Sequence, residues 1–403
     1  MDKSARVGRL LRCEQDGENY SAYLPTDLPP DPPLQIDEFY LLLDQANIAL
    51  GRLDGMSGVL PDHELFLYMY IRKEAVLSSQ IEGTQSSLSD LFLLEIEENP
   101  NTTISDATEV SCYVSAMSYG LKKIKEGSKI SLELIKELHR RLMSNNRGGN
   151  KMPGEFRREQ NWISGITPSR AIFVPPPPNE MMGSLNSLEK FLNDDSIKLP
   201  ALIKAALAHV QFETIHPFHD GNGRLGRLLI TFILCAEGVL REPLLYLSLY
   251  FKSHKQTYYD QLQNVRKTGD WESWIKFFLT GVIETARQAT DTAKSILDLF
   301  DKDTASIQKS NVSTAAVLTV HKYFQRTPIA NTKKIRESSG LSLPTVLRAL
   351  SALQELGIIQ EVTGKERNKI FGYGEYLSIL NKGTEPFIYK SKEMQTRSFS
   401  DAH

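Results

Sequence analysis

The sequence is poor in cysteine, nearly neutral in net charge and free of long uninterrupted apolar runs. Its three cysteines, Cys13, Cys112 and Cys235, stand far apart, so neither a disulfide framework nor a cysteine-bound metal is expected. The net charge of −2 gives the chain no general attraction to nucleic acid or to membranes. Charged residues and a proline interrupt the most apolar stretch, residues 228–251, so we expect no segment to span a bilayer.

Residues 1–18 are charged and lack the apolar core of a signal peptide. Together, these absences predict a reduced protein of the cytoplasm. The chain has 403 residues, of which 41% are hydrophobic and 24% charged, and this composition suits a globular protein of two or three domains.

Helical periodicity dominates, which predicts a mainly α fold. Glycines, prolines and capping residues bound most of the segments. Helices are expected over residues 35–53, 62–81, 88–97, 107–126, 132–143, 201–212, 225–237 and 274–299. The segment 201–212 is apolar nearly all round, so it should form a buried central helix.

Two regions depart from the helical pattern. Five prolines between positions 25 and 33 predict that residues 1–34 form an extended arm, packed as a strap on the next domain. Residues 161–166 and 171–174 flank a polar tip and predict a short β-hairpin.

The C-terminal third is expected to form a separate unit behind a polar linker at residues 301–311. From 312 to 380 the pattern gives a helix, a short helix, a turn, a helix over 343–356 and two strands, which is winged-helix order. Residues 311–380 hold nine Lys and Arg against five Asp and Glu, but the predicted recognition helix exposes only Arg348 as a cation. DNA binding and protein contact therefore stay equally open.

The segment that runs from His216 to Arg227 carries the chemistry. It reads His-Pro-Phe-His-Asp-Gly-Asn-Gly-Arg-Leu-Gly-Arg, directly before a predicted helix. Two glycines, Gly221 and Gly223, permit backbone angles closed to other residues and let a bulky anion approach. The helix N-terminus adds unpaired N–H groups and the positive end of a dipole, which together favour phosphate.

The side chains of this segment complete a phosphate site with a base beside it. Arg224 and Arg227 share a helix face and can grip phosphate oxygens, and the amide of Asn222 can donate to another. Asp220 is a hard ligand suited to Mg²⁺, and His216 can accept the proton of an attacking hydroxyl. A glycine turn alone, or a histidine at a helix end alone, is more often structural. The full set predicts nucleophilic attack on a nucleotide phosphate.

The segment resembles the core motif of the Fic family, His-x-Phe-x-Asp/Glu-Gly-Asn-Gly-Arg-x-x-Arg, at every fixed position. Most Fic enzymes transfer AMP from ATP to a hydroxyl of a target protein. The resemblance implies that His216 is the base and that Asp220 holds Mg²⁺. It implies an ATP site made by Gly221, Asn222, Gly223, Arg224, Leu225, Gly226 and Arg227. His219 occupies a variable position and is assigned no role.

Further motifs extend the resemblance beyond the core. Ser78 and Glu82, four apart on one helix face and followed by Gly83, resemble the Fic inhibitory motif. This implies that Glu82 pairs with Arg227 and misplaces the α-phosphate of ATP, so that the isolated protein is mostly inactive. The predicted hairpin resembles the Fic flap, which docks the target along Ile163, Ser164, Gly165 and Ile166. A Tyr-Tyr-x-x-Leu run implies that Tyr258 and Tyr259 border the adenosine.

These patterns divide the chain into an N-terminal region with the inhibitory helix (1–110), a Fic core (111–300), a winged helix (312–380) and a polar tail (381–403), expected to be disordered over its last twenty residues. The expected partner is a protein with a modifiable hydroxyl, with self-modification and a homodimer as further expectations. Two alternatives stay open. One is a nucleotide-sensing transcription regulator, and the other is a Fic enzyme that removes AMP or transfers another phosphate-bearing group.

Overall fold

The computed structural model describes residues 3–15, 17–57, 63–96, 105–144, 152–363 and 369–385. Over these residues the fold is mainly helical, as predicted. The helices, numbered in chain order, are α1 Tyr40–Ser57, α2 His63–Ile81, α3 Leu88–Ile96, α4 Ser105–Lys125, α5 Leu132–Leu142, α6 Pro178–Asn193, α7 Ala201–Ile215, α8 Asn222–Ala236, α9 Ser248–Ser253, α10 Lys255–Thr268, α11 Trp271–Lys309, α12 Ala315–Arg326, α13 Thr332–Ser339, α14 Leu343–Glu355 and α15 Gly374–Asn381.

Helix α7 forms the centre of the fold, as its all-round apolar pattern predicts. Every residue from Leu202 to Ile215 is buried, and α7 packs against α6, α8 and α11. Trp274 of α11 donates its indole N–H to the carbonyl of Ala206 at 2.9 Å. A helix buried on all sides is held in one orientation by its neighbours, so its C-terminal end is a rigid platform for the residues that follow.

The N-terminal arm packs on the next domain, as predicted, but it also contains a hairpin that was not predicted. Strands β1 (Arg9–Gln15) and β2 (Glu18–Leu24) pair antiparallel from Arg9 opposite Leu24 to Gln15 opposite Glu18. The residues of β1 are exposed or half-buried, and β2 fully buries only Ala22, so neither strand has the buried apolar face that marks a strand in sequence.

The prediction of a flap hairpin at residues 161–174 was correct only in part. Only one bridge joins its two sides, Ile163 with Phe173, and a single 3₁₀ turn at Pro168–Arg170 forms its tip. Ser164 adopts a left-handed φ of 58°, which ends regular pairing. The N–H of Tyr23 in β2 donates to the carbonyl of Val174 at 2.8 Å, so the segment leans on the N-terminal hairpin.

The predicted polar linker at 301–311 was wrong, because α11 continues without a break to Lys309. Polar residues cover its outer side, but Asp303 and Ile307 keep one face buried. Asp303 accepts a hydrogen bond of 2.7 Å from the hydroxyl of Tyr373. A helix that packs against the following unit can stay helical although its sequence is mostly polar.

The C-terminal elements follow the predicted order. Three strands, β3 (Ile329–Asn331), β4 (Gln360–Glu361) and β5 (Ile370–Gly372), form a sheet in the order β3-β5-β4 beside α12, α13 and α14. Helix α15, which was not predicted, follows and packs on α2, α3 and α11. Residues 382–385 of the predicted tail lie against the protein, with Thr384 buried.

A few sequence predictions lie outside the described residues. They are Asp62 as a helix cap, most of the charged turn at 363–368, and the tail from 386 to 403. Within the described residues, no helix is long and apolar enough to cross a bilayer.

The N-terminal arm is held by one buried ion pair. The guanidinium of Arg6 lies 2.8 Å from the carboxylate of Glu272 and donates to the carbonyls of Pro32 and Pro33. Both side chains are fully buried, and Lys3 also reaches Glu272 at 3.0 Å. Removing one member of a buried pair leaves the other without its main partner, which is strongly destabilising.

We therefore expect Arg6→Met to lower the free energy of unfolding by about 3 kcal/mol, the low end for such a loss because Lys3 remains. Urea unfolding followed by circular dichroism measures this. Arg9→Met, at an exposed position of β1, is the matched control and should change little. Equal midpoints for the two variants would contradict the role given to Arg6.

Candidate active site

His216 terminates the central helix and directs the chain into the loop. It is the C-cap of α7 with a left-handed φ of 50°, which is uncommon for a residue other than glycine. Burial, with Arg266 and Arg157 nearby, lowers the pKa of His216 to about 4. Its Nδ1 is buried and has no hydrogen-bond partner among the described residues. A neutral imidazole at this position can accept a proton.

Asn222 closes the loop that follows His216. Its Oδ1 accepts from the N–H of Phe218 at 2.9 Å, and its Nδ2 donates to the carbonyl of Phe218 at 2.8 Å. The side chain is 2% exposed. The amide is therefore committed to the loop backbone, and it does not point to solvent as a donor for phosphate, in contrast to the expectation from sequence.

The loop is also held by residues that the sequence analysis did not identify. His139 of α5 stacks on Phe218 with ring centres 3.7 Å apart and contacts the carbonyl of Asp220 through Nε2 at 3.0 Å. The N–H of Gly154 donates to its Nδ1, so Nε2 carries the proton and donates. Arg157 donates to the carbonyl of His216 at 3.0 Å. These residues are distant in sequence and form no local motif.

Helix α8 begins at Asn222, three residues before the expected start at Leu225. Its N-cap is Gly221, with φ 79°, which offers no side chain to cap the first turn. The N–H groups of Asn222, Gly223 and Arg224 therefore have no intrahelical acceptor. Such a helix end attracts anions.

Arg224 is a buried cation with weak partners. Its side chain is 5% exposed, yet its nearest carboxylates are Glu109 at 3.3 Å and Asp220 at 3.7 Å, and its Nε has no partner among the described residues. A buried guanidinium is stable only when its donors are satisfied. The incomplete bonding leaves Arg224 able to accept a further anion.

Arg227 is bonded on three sides by the end of α2. Its Nε donates to Ser78 Oγ at 2.8 Å, and its Nη2 donates to the carbonyl of Ser78 at 2.9 Å and to Glu82 Oε1 at 2.6 Å. The same Glu82 oxygen would lie 2.3 Å from a Cβ at Gly223, so only glycine admits it there. The carboxylate thus occupies the start of α8.

The end of α2 is itself held in place. Gly83, with φ 109°, turns the chain after Glu82, and its N–H donates to the carbonyl of Gln80 at 3.1 Å. Lys255 of α10 donates to the carbonyl of Ile81 at 2.5 Å. A cation at the C-terminal end of a helix also interacts favourably with the helix dipole.

Two sequence models match the chain in this region. Residues 129–234 match the Fic/DOC family, and residues 40–122 match the Fic/DOC family N-terminal region. The chain carries a Fic domain.

Curated relatives and a solved structure are also similar to this chain. Protein adenylyltransferase Fic of Aedes aegypti is 32% identical over 242 residues, which are 58% of this chain and 44% of the relative. The protein of that name from Culex quinquefasciatus is 30% identical over the same shares. The chain thus spans less than half the length of these relatives. A Fic family protein from Desulfovibrio desulfuricans shares the fold, with a TM-score of 0.53 and 17% identity over 85% of this chain and 97% of that one.

The other residues that the sequence analysis assigned to the site are partly buried and partly exposed. Leu225 is fully buried, and Gly226 lies against Glu213, whose Oε1 would meet a Cβ there at 2.3 Å. Tyr258 is 1% exposed and bonds His209 at 2.8 Å, whereas Tyr259 is 39% exposed. The flap residues from Ser164 to Ile166 are exposed.

Asp220 is the residue predicted to hold Mg²⁺, and it offers one carboxylate. Asp220 is 37% exposed at its side chain, and its Oδ1 also accepts from the N–H of Gly221 at 2.7 Å. Across the described ranges, no group of three or more His, Cys, Asp or Glu side chains could hold a metal ion. One carboxylate fits Mg²⁺ when phosphate oxygens supply the other ligands, because this ion takes few protein ligands.

The Asn222 clamp makes a prediction for stability. Asn222→Ala would leave the N–H of Phe218 without its partner, whereas the carbonyl of Phe218 keeps its bond from Asn161, so we expect the free energy of unfolding to fall by about 1 kcal/mol. Urea unfolding measures it. His219→Ala, in the same loop but exposed, is the control and should behave as wild type. An unchanged midpoint in Asn222→Ala would show that the clamp contributes nothing.

Burial around α7 also predicts a pH dependence. It lowers the pKa of His209 to about 3 and raises the pKa of Glu213 to about 7. The unfolded chain binds a proton at His209 below about pH 6.5, so this residue costs stability as the pH falls from there towards 3. Glu213 has the opposite sign, because the folded state binds the extra proton between about pH 4.5 and 7.

Urea unfolding at a series of pH values between 4 and 7.5 separates the two effects. Compared with wild type, His209→Gln should lose less stability as the pH falls. Glu213→Gln should lose less stability than wild type as the pH rises from 4.5 to 7. Parallel curves for wild type and both variants would contradict the assigned pKa directions.

Proposed function

We propose that this chain transfers AMP from ATP to a hydroxyl side chain of a target protein and releases pyrophosphate. The observation that carries the proposal is the pairing of a neutral His216 with an uncapped helix end and a buried, incompletely bonded Arg224. A base and an anion site thus stand side by side. The names of the curated relatives, protein adenylyltransferase Fic, favour AMP as the transferred group.

In the proposed reaction, a Ser, Thr or Tyr hydroxyl attacks the α-phosphorus of ATP and gives its proton to the imidazole of His216. The new bond joins the hydroxyl oxygen to the α-phosphorus, and the bond to the bridging oxygen breaks as pyrophosphate leaves. The N–H groups at the start of α8 and the guanidinium of Arg224 stabilise the charge on the phosphates. Asp220 would hold Mg²⁺, which neutralises phosphate charge when bound.

Autoinhibition follows from the position of Glu82. Its carboxylate lies on Arg227 and against Gly223, where a phosphate of ATP would have to lie. The Glu82 carboxylate would repel a phosphate brought to the same guanidinium. ATP bound beside Glu82 would be displaced from the geometry for in-line attack.

In this proposal the flap would receive the target segment and the tyrosines would border the adenosine. Ser164, Gly165 and Ile166 are exposed, so a target segment could bond their backbone. Asn161 ties this region to the loop by a 2.9 Å bond to the carbonyl of Phe218. Tyr259, partly exposed on α10, fits an adenosine border, and Tyr258 supports it from the core.

The element order from α12 to β5 supports a winged helix over residues 312–380. Its predicted recognition helix, α14, exposes Leu343, Leu347 and the single cation Arg348. An apolar face with one cation suits contact with protein better than with DNA, which requires several phosphate contacts. This favours the transferase over a DNA-binding regulator, and a second copy of the chain is one such protein partner. We place the reaction in the cytoplasm.

Two variants test the proposal with α-labelled ATP, Mg²⁺ and protein extract. Glu82→Gly should raise labelled AMP on protein, self-modification included, by about a hundredfold, because the α-phosphate is no longer misplaced. Adding His216→Ala to Glu82→Gly should remove at least about a hundredfold of that activity, as loss of a general base does.

His219→Ala in the Glu82→Gly background is the matched control, because this neighbouring histidine is exposed and has no assigned role. If the His216 variant labels protein as fast as this control, His216 is not the base. Labelled protein that loses AMP faster than it gains it would point to AMP removal. No labelled protein in any variant would refute the transferase.

A further inference from the structure

Helix α2 carries two functional faces near its C-terminal end. Ser78 and Glu82 lie on one face and bind Arg227. Gln80 lies two positions from each, about 200° around the helix, on the opposite side. Lys73 lies seven positions before Gln80 and therefore shares its face. Both Lys73 and Gln80 are buried, so something covers this second face.

The covering element is the segment Lys382–Glu385, here named the C-terminal strap. Lys73 donates to the carbonyl of Lys382 at 2.9 Å, and Gln80 donates to the carbonyl of Thr384 at 2.8 Å. Lys252 of α9 donates to the carbonyls of Gly383 at 3.2 Å and Glu385 at 2.5 Å. All four bonds run from side chains of the core to backbone carbonyls of the strap.

The strap fits its position closely. Thr384 is 1% exposed, and its Oγ1 donates back to the carbonyl of Asn381 at 2.8 Å. Gly383 adopts φ 86°, and a Cβ there would lie 2.8 Å from Leu249. Both the backbone angle and the space therefore require glycine at this position. Lys382 and Glu385 are exposed.

The strap is the continuation of the C-terminal unit. It follows α15, which packs on α2, α3 and α11. Asn381, the last residue of α15, donates to Ser89 Oγ at 3.0 Å, and Lys334 of α13 donates to the carbonyl of Glu95 at 2.7 Å. A displacement of the C-terminal unit would therefore act on α2 and α3 directly.

The same short stretch of chain holds both sides of the end of α2. Lys252 binds the strap, and Lys255, three residues later, binds the carbonyl of Ile81 next to Glu82. The end of α2 thus lies between Arg227 on one side and the strap, which Lys73 and Lys252 bind, on the other.

From this geometry we propose that the C-terminal strap holds the inhibitory helix in place, and that release of residues 382–385 is a route to activation. The inference rests on the proposed function for its activity readout. The strap bonds α2 in the position that places Glu82 on Arg227, so a ligand of the C-terminal unit that pulls the strap away would favour movement of α2 out of that position. The strap bonds through backbone carbonyls, so substitutions of its exposed side chains should matter little.

The test is Gly383→Val in the full chain, which cannot adopt the φ or fit beside Leu249 and so ejects the strap. We expect AMP transfer from α-labelled ATP to rise by roughly fivefold or more over wild type, the low end of couplings between sites. Hydrogen exchange at the backbone of α2 should become faster in the same variant. Lys382→Ala, adjacent on the strap but exposed, is the matched control and should match wild type in both measurements.

A second disruption removes donors and leaves the strap sequence intact. Lys252→Met keeps the length of the side chain and loses both of its bonds to the strap, so it should activate in the same direction even if Gly383→Val folds poorly. Glu82→Gly is the reference for full release. If Glu82→Gly is active while Gly383→Val and Lys252→Met stay at the wild-type rate, the strap does not restrain α2.

The two hypotheses can fail separately. If Glu82→Gly transfers no AMP to any protein, the proposed function fails, and the strap is then judged by hydrogen exchange alone. Unchanged exchange at α2 in both strap variants, relative to Lys382→Ala, would overturn the inference in that case. Faster exchange confined to α2 and the strap would support it.

Discussion

A buried guanidinium must have its N–H donors satisfied, and at Arg227 this requirement joins the end of α2 to the start of α8. The Arg227 side chain is 1% exposed, so leaving it without a partner would cost several kcal/mol. Glu82 fills the role here, with Ser78 taking two further donors. A phosphate could fill the same role. A phosphate that took these donors would therefore have to displace Glu82 from them.

The neighbouring Arg224 has the complementary property. It is buried almost as deeply, but its carboxylate partners lie at 3.3 and 3.7 Å and its Nε has no partner among the described residues. Arg227 thus has its donors bonded within the protein, whereas Arg224 keeps a donor that an anion could satisfy. Gly221 supplies the left-handed φ with which the loop enters α8. Gly223 leaves room for an anionic oxygen at the start of the helix.

Long-range contacts decide how α2 is presented to this site. Lys255 bonds its last carbonyl, and the strap bonds its opposite face. The donors lie on α2 and α9, and the acceptors on the strap are backbone carbonyls, so the interaction needs a particular chain path more than a particular sequence. The strap therefore carried no motif, and the polar composition of the last residues suggested only disorder.

Most helices of the core were predicted, because their apolar periodicity and their bounding glycines and prolines are local properties, but α6, α9 and α10 were not predicted. Errors arose where local pattern and packing disagree. Helix α11 runs through a polar stretch because Ile307 and Asp303 are buried against the next unit. Strands β1 and β2 form although Ala22 is their only fully buried residue, and the expected flap hairpin is reduced to the bridge between Ile163 and Phe173.

For the site, the sequence by itself determined the segment from His216 to Arg227, because a histidine, a glycine turn and two arginines at this spacing lie within one helix–loop–helix and need no distant partner. Tertiary structure decided what surrounds them. It brought Glu82 onto Arg227, His139 and Arg157 onto the loop, and turned the amide of Asn222 inward. Those contacts join residues up to 145 positions apart, and such pairings depend on how whole helices pack, which no short pattern encodes.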